Sequence, residues 1–221
     1  CVYYDVEKDK WQEMPRMSVV RSRPAAVSLD GKLFVFGGQD GSIFLNTSES
    51  FDFETGSWKE LAPMPISRYD FGIAVVKGLI YCIGGLNGRV TSEIVDIYDP
   101  KKNQWTALGS DLPTPRTGMG VAVTDDRYIW TFAGNSKQNE DTDVIEVLDC
   151  ESGHWSTCPT RVPSIRYSCE AVVTDTGLIY LIGGRTKGFS ALDKVEAFDP
   201  KSLTWINPSP APLLSLKCWH G

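Results

Sequence analysis

The chain has 221 residues, of which 42% are hydrophobic and 23% charged, and its formal net charge is −6. That length suffices for one large all-β domain with a substantial core. The acidic balance argues against nucleic acid as a partner, because phosphate needs a basic surface. No apolar stretch reaches membrane-spanning length; the best, Phe71 to Leu86, is broken by Lys77 and several glycines. We therefore expect neither nucleic acid nor membrane as partner, and a cytoplasmic location. The first residue is Cys1, so the sequence reads as a fragment or a processed chain.

The cysteines, at 1, 82, 150, 158, 169 and 218, show no repeating spacing and no CxxC pair. Cys82 and Cys169 fall in apolar runs and read as small hydrophobes. A disulfide framework is not expected; the pair best placed for one, across a hairpin, is Cys150 with Cys158. Asn46-Thr47-Ser48 forms a glycosylation sequon that is without meaning in a cytosolic protein.

In chain order the same unit recurs. Residues 1–15 hold only its second half, with Asp5 followed six residues later by Trp11. Residues 21–62, 68–109, 116–158 and 166–207 are complete units. Each runs from an arginine through an apolar run to a glycine pair, then to an Asp and a Trp: Gly37-Gly38 to Asp52 and Trp58, Gly84-Gly85 to Asp99 and Trp105, Ala133-Gly134 to Asp149 and Trp155, Gly183-Gly184 to Asp199 and Trp205. Residues 208–221 form a tail or the start of a further unit. Within a unit the turns at Lys77-Gly78 and Asp99-Pro100 separate short strands, so each unit predicts a four-stranded antiparallel sheet. The first two strands are apolar on both faces, which requires sheets on either side. Trp-to-Trp steps of 47, 47, 50 and 50 residues mark an array of such sheets. Glycine fits where neighbouring sheets crowd near an axis, and each tryptophan, on the outermost strand, covers the gap to the next sheet.

These residues resemble the kelch repeat, and the chain is similar to part of a kelch β-propeller. The third repeat departs most, with Ala133 for a glycine and Leu148 for the aromatic before Asp; its sheet is expected to sit slightly displaced. The resemblance implies an all-β propeller with four complete four-stranded blades and a partial one, a fragment of a six-bladed ring, with a five-bladed ring as the alternative.

Two histidines, His154 and His220, and no nucleophile, P-loop or HExxH motif leave little for chemistry or metal, so neither catalysis nor a cofactor is expected. Glu49, Asp96, Glu146 and Glu196 recur three residues before the repeat Asp and read as structural. Binding is expected on one end of the ring. Arg21 or Arg23, Arg68, Arg116 and Arg166 precede the first strand of each blade, and a ring of guanidiniums suits a carboxylate or phosphate ligand. The opposing possibility is that each arginine braces neighbouring loops through backbone carbonyls. Tyr69, Asp70, Thr117, Tyr167 and Ser168 follow these arginines. The loops after the glycine pairs add Gln39, Asp40, Asn46, Asn87, Arg89, Asn135, Lys137, Arg185, Lys187 and Phe189. The resemblance implies a non-catalytic binding module, the substrate-recognition propeller of a BTB–kelch adaptor. Such a module would grip an acidic peptide or protein and reach a cullin-based ubiquitin ligase through an upstream BTB domain outside this chain. An actin-binding cytoskeletal kelch protein, and a propeller enzyme of the sugar-oxidising, epimerising or specifier type, are the alternatives.

Overall fold

The computed structural model describes residues 1–136, 140–207 and 209–214. The expected further first strand in the tail lies largely outside these residues, as do Lys137, Cys218 and His220. All elements among the described residues are strands. No helix is long and apolar enough to cross a membrane.

Four sheets each hold four strands in sequence order, paired antiparallel. The first blade comprises Ala25–Leu29, Lys32–Phe36, Ser48–Asp52 and Ser57–Leu61. The second comprises Gly72–Val76, Leu79–Ile83, Val95–Asp99 and Gln104–Ala107. Gly120–Thr124, Tyr128–Phe132, Ile145–Asp149 and His154–Thr157 make the third. The fourth has Glu170–Val173, Ile179–Ile182, Val195–Asp199 and Thr204–Trp205. A hairpin of Val2–Asp5 and Lys10–Glu13 stands where a third and fourth strand belong.

The core lies between blades, as two-sided apolarity demands. One cluster joins Phe34, Phe36 and Met64 of the first blade to Phe71, Ile80 and Tyr98 of the second. Two more fill the second-to-third and third-to-fourth gaps. The residue before each repeat Asp plugs these gaps: Tyr98 meets Phe36 edge-on at 5.5 Å and Phe198 meets Phe132 at 5.6 Å. Leu148, the non-aromatic member, is also fully buried; any large apolar side chain serves there, for about 1.5–3 kcal/mol each.

The repeat Asp shapes the outer turn. Asp52 Oδ1 accepts from the amides of Glu54 and Thr55, and Asp99 Oδ1 from those of Lys101 and Lys102. The tryptophans tie each blade to the linker behind it. The indole N–H groups of Trp58, Trp105 and Trp205 donate to the carbonyls of Pro15, Ala62 and Arg161 at 2.7–2.9 Å. Trp155 Nε1 is buried with no such acceptor; at that junction Ser110 Oγ donates to Gly153 O at 2.5 Å.

The glycine pair has its reason at the blade junction. The amides of Gly38, Gly85 and Gly134 donate at 2.9 Å to the backbone carbonyls of Arg68, Arg116 and Arg166 in the following blade. A Cβ on Gly84 would stand 2.7 Å from Arg116 O, and its φ is +60°. Ala133 holds the same left-handed backbone at φ 56°. Cys150 and Cys158, the pair singled out for a disulfide, are both free thiols.

Candidate functional site

The repeat arginines do not form the expected ligand ring. Arg68, Arg116 and Arg166 have no exposed surface at all, and the Arg21 side chain is equally buried. Each guanidinium turns back into its own blade and pairs with the recurring third-strand acid: Arg21 with Glu49, Arg68 with Asp96, Arg116 with Glu146 and Arg166 with Glu196. In each case Nη1 donates to backbone carbonyls left open where the second strand ends and the third begins, while Nε of Arg116 and Arg166 donates to Thr114 O and Ser164 O and Nε of Arg21 and Arg68 is buried without a partner. Arg116 reaches Ala133 O at 3.0 Å and Val144 O at 2.8 Å, and Arg21 reaches Gly37 O at 2.8 Å and Thr47 O at 3.0 Å. Buried backbone acceptors must be satisfied, and five fixed donors suit one residue to several of them. Burial draws the Arg68 and Arg116 guanidiniums below the usual arginine range. It also pushes the Asp96 carboxyl above the usual aspartate range against the pull of Arg68. These groups are spent on the scaffold and are closed to a ligand.

Two residues further on, the chain does reach an open surface. Arg23, Asp70, Gly118 and Ser168 all have positive φ, between 51° and 60°. Their backbones join from blade to blade: the amide of Asp70 donates to Arg23 O at 3.4 Å, that of Gly118 to Asp70 O at 3.0 Å, and that of Ser168 to Gly118 O at 2.7 Å. The Arg23 side chain is 48% exposed and stands 3.9 Å from Asp70 Oδ2, a loose pair that leaves its charge available. The Asp70 carboxyl is pushed up by burial, with Arg23 opposing. A cavity of about 770 Å³ lies between the inner strands and the N-terminal hairpin, with Asp70, Ser168 and Glu170 on its wall. Glu170 too is pushed up by burial.

The residues between each arginine and this inner position pair with the start of the loop after the glycines: Tyr69 with Leu86, Thr117 with Asn135, Tyr167 with Arg185, and likewise Ser22 with Gln39. The expected face thus gathers Tyr69, Thr117, Tyr167, Asn135 and Arg185 at one end of the blades. Thr117 is buried there and donates to Asp70 O at 2.8 Å, and Asn135 Nδ2 donates to Asp141 at 2.9 Å. Asn46 Nδ2 is likewise spent on Met64 O at 3.2 Å. Asn87 and Arg89 sit exposed at a hairpin tip formed by Leu86–Asn87 and Val90–Thr91. A matching hairpin in the first blade, Gln39–Asp40 with Ile43–Phe44, presents Ile43 and Phe44 outward, residues the sequence pattern had passed over. Three consecutive apolar residues, Ile43 to Leu45, inside a polar, glycine-containing loop were the available signal, more than the single buried Leu45 requires.

Three of the thiols are chemically quiet: burial pushes Cys82 and Cys169 up to about 12 and Cys150 up to about 11. His154 is exposed, with Nδ1 2.8 Å from Ser152 O. Among the described residues no three His, Cys, Asp or Glu side chains are grouped to hold a metal ion.

Residues 97–214 match the model of the KLHDC2/KLHL20/DRC7 Kelch-repeats domain, and residues 21–65 and 67–111 each match the Kelch motif. Kelch-like protein 4 of Homo sapiens is 45% identical over 49 residues, 22% of this chain and 7% of that protein. An F-box/kelch-repeat protein of Arabidopsis thaliana is 44% identical over 48 residues, 22% of this chain and 13% of that one. The matches thus span only a small part of these curated relatives. The solved structure of YjhT superposes with a TM-score of 0.83 over 98% of this chain and 78% of its own, at 16% identity, a likeness of fold.

Proposed function

We propose that this chain, which belongs to the kelch-repeat family, is a non-catalytic protein-binding module that grips a short acidic peptide segment at the loop end of its blades. The observation that carries this reading is the division of labour among the cations. The repeat arginines are consumed inside the blades, while Arg23 and Arg89 stand exposed on the loop end of a chain whose net charge is −6. Exposed cations on an acidic protein select an acidic partner by local field rather than by total charge. Within a larger protein the module would present substrates to a cullin-based ubiquitin ligase in the cytoplasm. The F-box in one relative's name supports a partner-presenting role for such repeats.

The test is binding to an array of acidic peptides. Arg23→Glu with Arg89→Glu is expected to weaken the strongest binders about tenfold, or ~1.4 kcal/mol, with an unchanged melting temperature. Undiminished binding by the double variant rejects this face. Copurification of the full-length protein with a cullin tests the adaptor role separately.

A further inference from the structure

Resting on that reading, we infer that the loop end of the first two blades also carries a dedicated seat for a bulky apolar side chain of the bound peptide, next to its acidic residues. The seat is built from two hairpins of neighbouring blades. The Phe44 ring stacks on Tyr69 with centroids 5.3 Å apart and planes 10° from parallel. The Tyr69 hydroxyl donates to Gly88 O at 3.3 Å, which holds the second hairpin against the first. Gly88 borders the Phe44 ring edge, which a Cβ there would meet at 3.9 Å, an ordinary van der Waals contact; its φ of +64° is what suits glycine to the tip. Ile43 and Val90 flank the stack at 63% and 68% exposure.

Two features separate this patch from the scaffold. A feature the fold requires recurs in every blade, as the arginine–acid pairs do, whereas the stacked pair occurs at this junction. At the next junction the positions equivalent to Phe44 and Tyr69 are Thr91 and Thr117, both polar: Ser92 bonds Gly85 O as Leu45 bonds Gly38 O, and Thr117 pairs with Asn135 as Tyr69 pairs with Leu86. The apolar side chains are also held in place by stacking and a hydrogen bond, so a ligand meets a preordered surface and loses less entropy on binding. Exposed apolar patches with a polar rim mark interaction sites, and rigid aromatics dominate binding energy there.

The rim decides the occupant. Arg89 lies exposed on the hairpin tip between Gly88 and Val90, and the Tyr69 hydroxyl, pushed up chiefly by burial, feels both Arg23 and its partner Asp70. Asp40 is the acid on the facing hairpin. Cations beside an apolar seat fit a peptide that places Leu, Ile, Phe or Trp within a few positions of Asp or Glu.

The experiment pans a randomised twelve-residue peptide library against the full-length protein and its Ile43→Ser/Phe44→Ser variant. Both replaced side chains are solvent-facing, and equal melting temperatures confirm the fold. Peptides joining a bulky apolar residue to acidic ones are expected on the wild type. On the variant the apolar preference should vanish while the acidic one stays, and a selected peptide should bind the variant about tenfold more weakly. Acidic peptides with no apolar preference, or an apolar preference that survives in the variant, overturn the seat and leave the acidic-peptide reading standing. If no acidic peptides are enriched, both fall.

Discussion

Arg116 and Glu146 form a buried ion pair between the entry to the third blade and that blade's third strand, with 0% and 1% exposure. Removing one partner strands the other charge in a dry interior. Arg116→Met is therefore expected to cost about 3–5 kcal/mol, and Arg116→Met with Glu146→Met to recover only the part due to the stranded carboxylate, because Ala133 O and Val144 O stay unsatisfied. Thermal melts of the single and double variants read this directly. A single variant that melts like the wild type would mean the pair is not structural.

The tryptophans should not be equivalent. Trp105→Phe loses the bond to Ala62 O, whereas Trp155 has no indole acceptor to lose. Both changes remove ring volume; Trp105→Phe also disturbs the contacts with Phe36 and Tyr98, and Trp155→Phe removes a buried unpaired N–H, so all these differences act in the same direction. Urea unfolding should place Trp105→Phe about 1 kcal/mol below Trp155→Phe.

Glycine and alanine at one backbone position give a paired test. Gly84→Ala introduces a Cβ against Arg116 O at a left-handed φ and is expected to cost about 1–3 kcal/mol. Ala133→Gly, at φ 56°, removes a strain already carried and should show no loss in the same melting assay.

Acid should unfold the outer turns first. The carboxyls of Asp52, Asp99, Asp149 and Asp199 are held below the usual aspartate range by hydrogen bonds from Lys32, Lys102, Arg127 and Ser202, with turn amides adding to each. A depressed folded value means the stabilisation is present above the unfolded pKa, about 3.9, and is lost as pH falls through the folded value. Melting temperature should therefore drop below about pH 4, and Asp99→Asn should make that drop shallower.

Much of this architecture could be read from residue spacing. The Asp and the glycine pair each recur at positions where one local job explains them, and each does that job; the tryptophan also fills a gap between blades, but the one behind it, as Trp105 against Phe36 and Trp205 against Phe132 show. The arginines were harder, because a repeated cation fits an outward ligand ring and an inward brace equally well. What separates the two is the partner. Arginine and acid recur together 28, 28, 30 and 30 residues apart, and a matched pair of charges in every unit points inward. Periodicity of one residue type does not display that correlation. Ile43 and Phe44 stayed hidden for the opposite reason: they belong to no period, and apolar residues in a polar loop mark a departure without saying what they face until Tyr69 is placed against Phe44.

The inner loop position has a consequence for how such a surface changes. Arg23, Asp70, Gly118 and Ser168 are a cation, an anion, a bare backbone and a hydroxyl, yet all four hold one left-handed conformation, linked amide to carbonyl from blade to blade. Three different side chains already share that geometry, whereas at Gly118 a Cβ would stand 3.0 Å from the Ser168 amide nitrogen. Chemistry at the three stations that carry a side chain can therefore be exchanged among residues that tolerate a left-handed backbone, each swap altering the polarity and sign of the opening while the blades beneath keep their register.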